Sequence, residues 1–445
     1  MIDSVVFGHQ WATEESRAIF AESRRVRRWV AVIAALARAQ ASVGIIPVAA
    51  ADEISTLVDR DVDLVAVGEQ TRLTSHSTLG LIRVLQTMLS ESAREHIYVG
   101  ATVQDITDTA MALELRDVGE RVWADLRVVE DLLCSISEEH AATPMVGRTH
   151  GQPGAPITFG FKAASWLDEV GRSIERLRQS RDRLLVCQLG GAVGSLAFFG
   201  PDALRLRAAF ATEIGLGEPG ISWLTARDRV AEFAAILGSA TTGLARIANE
   251  VYSLQRAEIG EVSEATNDSV VGSITMPHKR NPESSEQIVV LARLVRSHAS
   301  TLADTMLQEH ERDARGWKAE WAVFPELGHY ACAAAAMSVS LVDGLVVDAG
   351  RMAENLATYS ATNSEQFVKR LAPHLGKHRA QDLLHRAFRE PGDLAAAVRA
   401  LLPDDIADID LPVTEVPDTG ACAAMAQQVV AAARVRRSTE SIHWS

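Results

Sequence analysis

The stretch MALELRDVGERVWADLRVVEDLLCSI, residues 111–136, decides the fold. Its apolar residues recur every three or four positions, at Met111, Leu115, Val118, Val122, Leu126, Val129, Leu133 and Ile136. This spacing places them on one face of a helix of about seven turns. Runs of the same kind cover residues 155–185 and 230–262, follow Asn281, and extend from about 321 to 356. Alternating strand patterns are nearly absent, so the sequence predicts long helices packed side by side.

A smaller helical region precedes this bundle. Its first helix is expected to end near Gly44 and Pro47, because glycine stops a helix and proline cannot continue one. After the bundle, glycine and proline residues separate shorter helices. The sequence therefore predicts an all-α protein with three helical domains: an N-terminal domain at 1–109, the central long-helix bundle at 110–348 and a C-terminal domain at 349–445.

Composition limits the classes of function. The chain has 445 residues, of which 47% are hydrophobic, and this proportion is ordinary for a protein with a sizeable core. Its net charge of -14 argues against a nucleic-acid partner, and the basic cluster at 24–28 is expected to be a solvated helix face. No apolar stretch is expected to span a membrane; residues 331–347 come closest. The four scattered cysteines predict no disulfide, metal site or cofactor, and the start carries no secretory signal, so we expect a cytoplasmic protein.

The segment GSITMPHKRNP, residues 272–282, is the first of four polar segments that carry chemistry. A hydroxyl, basic side chains and an amide lie between glycine and proline residues, just before an apolar helical run. This composition is typical of a mobile loop with an anion-binding group rather than a core element. The alternative is a basic surface loop without function.

The other three polar segments lie at the ends of predicted helices. Residues 100–109 contain Thr and Asp before an apolar run, and a simple helix cap would explain them. In residues 147–152, His150 is flanked by Arg, Thr and Gln on a glycine-bounded turn, which suits a positioned acid with anion-binding donors. A lone turn histidine is more often structural. Residues 308–321 are rich in charge, and pairing along a helix is the alternative explanation.

Together these segments resemble the fumarase/aspartase superfamily. Residues 272–282 are similar to its GSSxMPxKxNP loop, 147–152 to its GRTHxQ segment and 100–109 to its GxTxxDxxDT segment. The runs 308–321 and 227–229 look most similar to the bacterial 3-carboxy-cis,cis-muconate cycloisomerase branch, with adenylosuccinate lyase as the next neighbour. The N-terminus lacks the Arg-Tyr dipeptide of adenylosuccinate lyases, which counts against their substrate.

The resemblance implies a mechanism and an assembly. Ser273 would be the general base that removes a proton beside a carboxylate, and His150 would assist the leaving group. Lys279 and Asn281 would hold the resulting dianion. The residues that the resemblance further assigns to substrate binding are Thr102, Gln104, Arg148, Thr149, Gln152, Arg312 and, by analogy with a second histidine of adenylosuccinate lyases, His76. It also implies a homotetramer whose active sites take segments from three chains.

Several positions depart from the family pattern towards apolar residues, and they are Val103, Leu224, Ala226 and Ile274. The first functional hypothesis is therefore a lyase that eliminates a nitrogen or other heteroatom group from a succinate-like acid, releasing fumarate or a related enoate. The second is a cycloisomerase that closes 3-carboxy-cis,cis-muconate to a lactone. The third is a non-enzymatic, crystallin-like structural protein, which the retention of Ser273, His150, Lys279 and Asn281 disfavours.

Overall fold

The computed structural model describes residues 1–76, 78–265, 275, 276, 278–358, 364–390, 392–412 and 417–445. These residues form an all-α protein, as predicted. The N-terminal helices are α1 Glu14–Phe20, α2 Glu22–Ser42, α3 Val48–Ser55, α4 Leu64–Thr74, α5 Leu79–Thr87 and α6 Glu91–Arg94. The long helices are α7 Val103–Glu139, α8 Phe159–Leu184, α10 Asp228–Leu254, α11 Glu283–Asp304 and α12 Ala314–Asp343, with the shorter α9 Ala203–Ile214 between α8 and α10.

The C-terminal part adds further helices, which are α13 Ala349–Thr358, α14 Ser364–Leu375, α15 Lys377–Ala387, α16 Leu394–Leu401 and α17 Cys422–Thr439. Within the described ranges the strands are few: β1 Pro144–Thr149 pairs with β2 Gln152–Thr158, and β3 Val262–Ser263 pairs with β4 Val346–Val347, both antiparallel. The predicted stop after α2 is confirmed, since Gly44 has a φ of 82°.

Three helical runs have different limits from those predicted. Residues 155–158 belong to β2, because Pro153 and Pro156 suit an extended hairpin strand better than a helix interior. The third run ends at Leu254 rather than at residue 262. The run 321–356 is two helices, since α12 ends at Asp343 and β4 separates it from α13. Apolar periodicity alone does not register such short interruptions.

The long helices share one buried core, to which α7, α8, α10, α11 and α12 all contribute. Among the described helices, α10 is the one long and apolar enough, by length and composition, to cross a membrane. The expectation that no stretch has this length and apolarity is therefore wrong for α10. However, 67% of its most apolar window is buried inside the structure, as is usual for the core helix of a bundle.

The basic cluster at 24–28 is only in part the solvated face that the sequence predicts, since Arg24 and Arg27 are exposed but Arg28 is not. Arg28 is buried and donates to the carboxylate of Asp117, and it also lies 3.6 Å from Glu114. Arg24 donates to Asp117 as well. Because both acidic residues lie on α7, these ion pairs attach α2 to the bundle. The four cysteines are free thiols and buried, in keeping with their apolar sequence surroundings.

The C-terminal tail is fixed to the bundle by Trp444, which is 1% exposed. Its indole packs over Gly119 of α7, where any side chain would clash with the ring. The indole Nε1 donates to the carbonyl oxygen of Leu177 at 2.7 Å, and the backbone N–H of Trp444 donates to Glu120 at 2.9 Å. Glycine is therefore required at position 119 of α7 because Trp444, more than 300 positions later in the sequence, packs against it.

Replacing Trp444 with phenylalanine is expected to lower the free energy of unfolding by about 1–2 kcal/mol. The substitution keeps an aromatic ring but removes the hydrogen bond to Leu177 and part of the buried area, which leaves a small cavity and an unpaired carbonyl. Urea unfolding monitored by circular dichroism would measure the change. Ile442→Ala is the matched control, because Ile442 is 75% exposed and should change stability by less than about 0.5 kcal/mol. Equal effects of the two substitutions would contradict the assigned role of Trp444.

Candidate active site

Thr102 and Arg312 meet at the N-terminal end of α7. Thr102 is the N-cap residue, with an extended backbone, and its N–H donates to Asp105 Oδ2 at 2.9 Å. Its hydroxyl accepts a hydrogen bond from Arg312 Nη2 at 2.8 Å. The capping alternative is therefore correct as local structure. It does not exclude function, because the hydroxyl faces a guanidinium group.

Arg312 lies in the connection between α11 and α12, which begins only at Ala314. Pairing along a helix therefore does not explain the charges at 309–312. In this connection His310 has a φ of 55°, a conformation that non-glycine residues seldom adopt. The turn directs Arg312 towards Thr102 and the carbonyl oxygen of Gly191, which is 3.5 Å away.

Asp105 was not assigned a role from the sequence, yet it organises this end of the site. The buried carboxylate accepts hydrogen bonds from the N–H groups of Gly190 at 2.8 Å and Gly191 at 3.0 Å, in addition to that of Thr102. Burial raises the pKa of Asp105 to about 6, while these N–H donors act in the opposite direction. The sequence feature that could have indicated this role is the glycine-rich stretch 190–194, whose N–H groups bind Asp105. In it Gly191 and Gly194 have positive φ.

Gln104 is fully buried beside this cluster, and its Nε2 donates to the carbonyl oxygen of Leu224 at 2.6 Å. Three buried polar atoms of this region have no hydrogen-bond partner among the residues described, and they are Gln104 Oε1, Gln308 Oε1 and Arg312 Nε. Buried polar atoms normally have a partner, because an unmade hydrogen bond costs about 1–3 kcal/mol. Unsatisfied donors and acceptors next to a cation are what a polar ligand or a second chain would satisfy.

A buried ion-pair cluster lies one helical turn further along α7. Arg227 donates from Nη1 to Asp108 at 2.7 Å and from Nε to Glu320 at 2.9 Å, and all three side chains are fully buried. Trp317 Nε1 donates to Asp108 at 3.1 Å. Burial raises the pKa of Glu320, whereas its pairing with Arg227 lowers it. The cluster joins α7, α12 and the start of α10 beside Ala226, one of the apolar departures.

His150 lies at the tip of the β1–β2 hairpin. Thr149 pairs with Gln152, so His150 and Gly151 form a two-residue loop, and their φ values are 52° and 74°. Two consecutive positive φ values define a type I′ turn, which matches the twist of a hairpin. Thr149, His150 and Gln152 are exposed in the single chain, and within its described residues no hydrogen bond is made by the imidazole. A strained, exposed histidine at a hairpin tip suits a group that acts on a molecule outside its own chain.

Arg148 belongs to the same hairpin, but its guanidinium points to a different partner. It donates to both carboxylate oxygens of Glu261, from Nη2 at 2.7 Å and from Nη1 at 2.8 Å. Glu261 is fully buried and Arg148 is 17% exposed. Sequence reasoning named Arg148 as a substrate ligand, and this role stays a prediction. In the single chain its guanidinium forms a bidentate ion pair with Glu261.

Lys279 and Asn281 lie beside the C-terminal end of α10. The carbonyl oxygen of Arg280 accepts a hydrogen bond from Gln255, and Asn281 Nδ2 donates to Glu283 at 3.1 Å. The Lys279 side chain is exposed. Ser273 and Ile274 lie outside the described residues, so the base predicted from the sequence stays a prediction. The exposed His76 accepts the N–H of Leu79 on Nδ1 at 3.2 Å and so caps α5.

The two ends of α7 separate these groups. Thr102 precedes the helix, and the hairpin follows it, since the N–H of Gly160 at its base donates to the carbonyl oxygen of His140. With 37 residues, α7 is about 55 Å long. Even if β1 ran straight back along the helix, it would shorten the distance from Thr102 to the hairpin tip by at most about 20 Å. In the described part of the chain, no hydrogen bond or ion pair connects the Thr102 cluster with the hairpin tip or with Lys279. A site that uses both ends needs more than one copy of the chain.

The family of the chain follows from comparison with known proteins. A family model described as "Lyase" matches residues 9–296, and the order of the polar segments agrees with it. The chain belongs to the fumarase/aspartase superfamily and is an enzyme of that superfamily.

Within the superfamily, the chain is similar over most of its length to several individual enzymes. The chain is 36% identical over 442 residues to N-acetyl-S-(2-succino)cysteine lyase of Enterococcus italicus, covering 97% of each chain. It is 38% identical over 381 residues to nitrosuccinate lyase of Streptomyces davaonensis, covering 83% of this chain and 80% of the relative. The crystal structure of the 3-carboxy-cis,cis-muconate lactonizing enzyme of Pseudomonas putida is similar with a TM-score of 0.86 and 32% identity, covering 97% of this chain and 99% of that chain.

Proposed function

We propose that this enzyme eliminates a heteroatom group from a 2-substituted succinate and releases fumarate, and that a 2-succino thioether is the substrate class to test first. The observation that carries the proposal is the Thr102–Arg312 cluster, where one cation and unsatisfied buried polar atoms border the apolar residues Val103 and Leu224. The similarity over the whole chain to a lyase named for a succinylated cysteine supports the same class.

The reaction needs a base, a site for negative charge and an acid. In the proposed sequence Ser273 takes a proton from the carbon beside one carboxylate, and Lys279 and Asn281 stabilise the dianion. The electron pair of the broken C–H bond then forms the C=C bond, and the bond from the neighbouring carbon to sulfur breaks. Sulfur leaves with its electron pair and receives a proton from His150. Oriented donors in a site without bulk water stabilise such an intermediate better than water does.

The apolar departures suit a less charged leaving group. Val103 and Leu224 are 8% and 3% exposed, and their apolar side chains form no hydrogen bonds. A substrate with a second polar group would need a hydrogen-bond partner at these positions. Thr102 and Arg312 remain to hold one carboxylate. A substrate that carries a nucleotide or a third carboxylate would lack partners for these charged groups here. Each missing hydrogen bond to a charged group costs about 1.5–3 kcal/mol of binding.

The test is a comparison of three substrates with the purified enzyme: an S-(2-succino)cysteine derivative, 3-carboxy-cis,cis-muconate and adenylosuccinate. Fumarate release from the thioether, followed by ultraviolet absorbance, is the expected result. Loss of muconate at the higher rate would establish the cycloisomerase function instead, which the similarity to the lactonizing enzyme supports as second candidate. No turnover of any of the three acids would contradict the proposed substrate class. The buried free thiols are in keeping with a reducing compartment such as the cytoplasm.

The site is proposed to form in a homotetramer, because Thr102 and His150 lie at opposite ends of α7. Mixing two inactive variants, Thr102→Val and His150→Asn, should therefore restore activity. If a site takes these two residues from different chains, random assembly gives a fully intact pair at about one half times one half, or about a quarter, of the sites. Light scattering should give the mass of four chains. A monomer, or no recovery after mixing subunits that demonstrably exchange, would contradict the shared site.

Restoring polarity should broaden the substrate range. The double variant Val103→Ser and Ala226→Gln is expected to raise kcat/KM for adenylosuccinate or carboxymuconate by about tenfold, because one regained hydrogen bond to charge contributes about 1.5 kcal/mol or more. Rates on the thioether should fall or stay equal. Ala208→Ser, at an exposed position of α9, is the control for added polarity alone. Wild-type turnover of either polycarboxylate as fast as the thioether would contradict the role given to the apolar positions.

A further inference from the structure

We propose that Glu261, assisted by Asn355, is a positioning residue that fixes the hairpin bearing His150. The inference rests on the proposed function in one respect, namely that His150 is the acid of the reaction. It assigns Arg148 to a mechanical link inside the chain, between the hairpin and the segment that begins β3, rather than to the substrate.

The carboxylate of Glu261 has three donors. Arg148 occupies both oxygens, at 2.7 and 2.8 Å, and Asn355 Nδ2 donates to Oε1 at 2.8 Å. Glu261 is fully buried and Asn355 is 7% exposed. A buried carboxylate is tolerated only when charge and hydrogen bonds compensate its loss of water, and here both do. Bidentate pairing also fixes the plane of the guanidinium, which a single contact would leave free to rotate.

The anchor is itself held by further hydrogen bonds. The N–H of Glu261 donates to the carbonyl oxygen of Leu254 at the end of α10, and its own carbonyl oxygen accepts the N–H of Asp348. Asn355 belongs to α13 and also donates to the carbonyl oxygen of Ile259 at 2.9 Å. The side chain that holds Arg148 is therefore connected to two helices, whereas the hairpin tip has none of these supports.

The position of His150 follows from that of Arg148, two residues before it. The pairing of β1 with β2 shifts register between Val146 and Arg148, at Gly147, where an added Cβ would lie 2.7 Å from the carbonyl oxygen of Ala155. The irregularity turns Arg148 out of the regular strand pattern and towards Glu261. Only Thr149 separates Arg148 from His150, which is the first residue of the two-residue turn. Release of Arg148 would thus move the imidazole, and displacements of about 1 Å can lower rates by about a hundredfold.

A double-mutant cycle tests the link between Glu261 and His150. Glu261→Gln keeps the size of the side chain but removes the charge that pairs with Arg148, and we expect kcat to fall about ten- to hundredfold with little change in KM. In a His150→Asn background the same substitution should change kcat by less than about threefold, because the group that it positions is gone. Glu354→Gln, the same change on an exposed part of α13, is the matched control and should leave both enzymes unaffected.

If Glu261→Gln lowered kcat by the same factor in the wild-type and His150→Asn enzymes, the inference would be overturned, since Glu261 would then have a general structural role. If Glu261→Gln does not fold, Asn355→Ala carries the same cycle, because it leaves the Arg148–Glu261 ion pair in place. A wild-type rate for His150→Asn alone would instead refute the proposed acid and not the anchor.

Amide hydrogen exchange gives a readout that does not depend on substrate. Exchange in a peptide covering 146–153 should accelerate at least about tenfold in Glu261→Gln, but not in Glu354→Gln, because the anchor restricts local opening of the hairpin. Unchanged exchange in Glu261→Gln would overturn the anchor whatever reaction the enzyme catalyses.

Discussion

Replacing Arg227 with methionine is expected to lower the free energy of unfolding by about 3–5 kcal/mol. The guanidinium is the cation between Asp108 and Glu320, and the three side chains are fully buried. Methionine fills much of the volume but leaves two carboxylates in the interior without their cation, and breaking a buried ion pair in this way costs about that much. Thermal and urea unfolding at a fixed protein concentration would measure the loss.

The matched control for this prediction is Arg229→Met, two residues later in the first turn of α10. Arg229 is only partly buried, and its Nε donates to the carbonyl oxygen of Arg183. Its replacement should cost about 1 kcal/mol or less. If the two methionine variants unfold at the same urea concentration, the cluster does not stabilise the end of the bundle as the geometry indicates.

The pH dependence of the Arg227 variant provides a second measurement. Burial already raises the pKa of Glu320, and removal of Arg227 removes the group that lowers it. A carboxyl group whose folded pKa is above its unfolded value destabilises the protein most at high pH. The deficit of the variant should therefore be smallest below the unfolded pKa of about 4.3 and should grow as the pH rises through the raised folded pKa. A deficit that is constant with pH would mean that the loss arises from packing.

The helical bundle could be predicted from the sequence because its signal is local and repeated. The spacing of apolar residues in α7 extends from Met111 to Ile136, and each turn repeats the evidence. The β1–β2 hairpin gave no such signal, since its strands are short and contain prolines. Trp444 could not be placed either, because its partners Gly119 and Leu177 are distant in sequence. A sequence pattern records what a residue is, but not which remote surface it meets.

In the candidate site, too, the sequence predicted some features and not others. Motif resemblance predicted Thr102 and Arg312 as site residues, and they are in contact. The resemblance could not separate a ligand of the substrate from a structural anchor, because an arginine that holds Glu261 and one that holds a carboxylic acid look alike in a sequence. Arg148 is such a residue: the structure adds its ion pair with Glu261, and the predicted contact with the substrate stays a prediction. Only the position of its partner distinguishes the two roles.

Replacing Ser273 with alanine is expected to lower kcat about a hundredfold to ten-thousandfold, the range typical for loss of a general acid or base. Ser273 lies outside the described residues, so the prediction rests on the similarity of 272–282 to the signature loop and on the membership of the chain in the superfamily. Removal of one oxygen should change the free energy of unfolding by no more than about 0.5 kcal/mol. The KM for the thioether should change little, because the carboxylate ligands remain.

The control is Ser284→Ala in the first turn of α11, where the same atom is removed near the same segment without a proposed role in chemistry. Steady-state rates and single-turnover rates of fumarate release would be measured for both variants. The single-turnover rate matters because slow product release could hide a slower proton transfer in kcat. If Ser273→Ala keeps more than about a tenth of the wild-type single-turnover rate, it has lost less than about 1.4 kcal/mol of transition-state stabilisation, and another group must remove the proton.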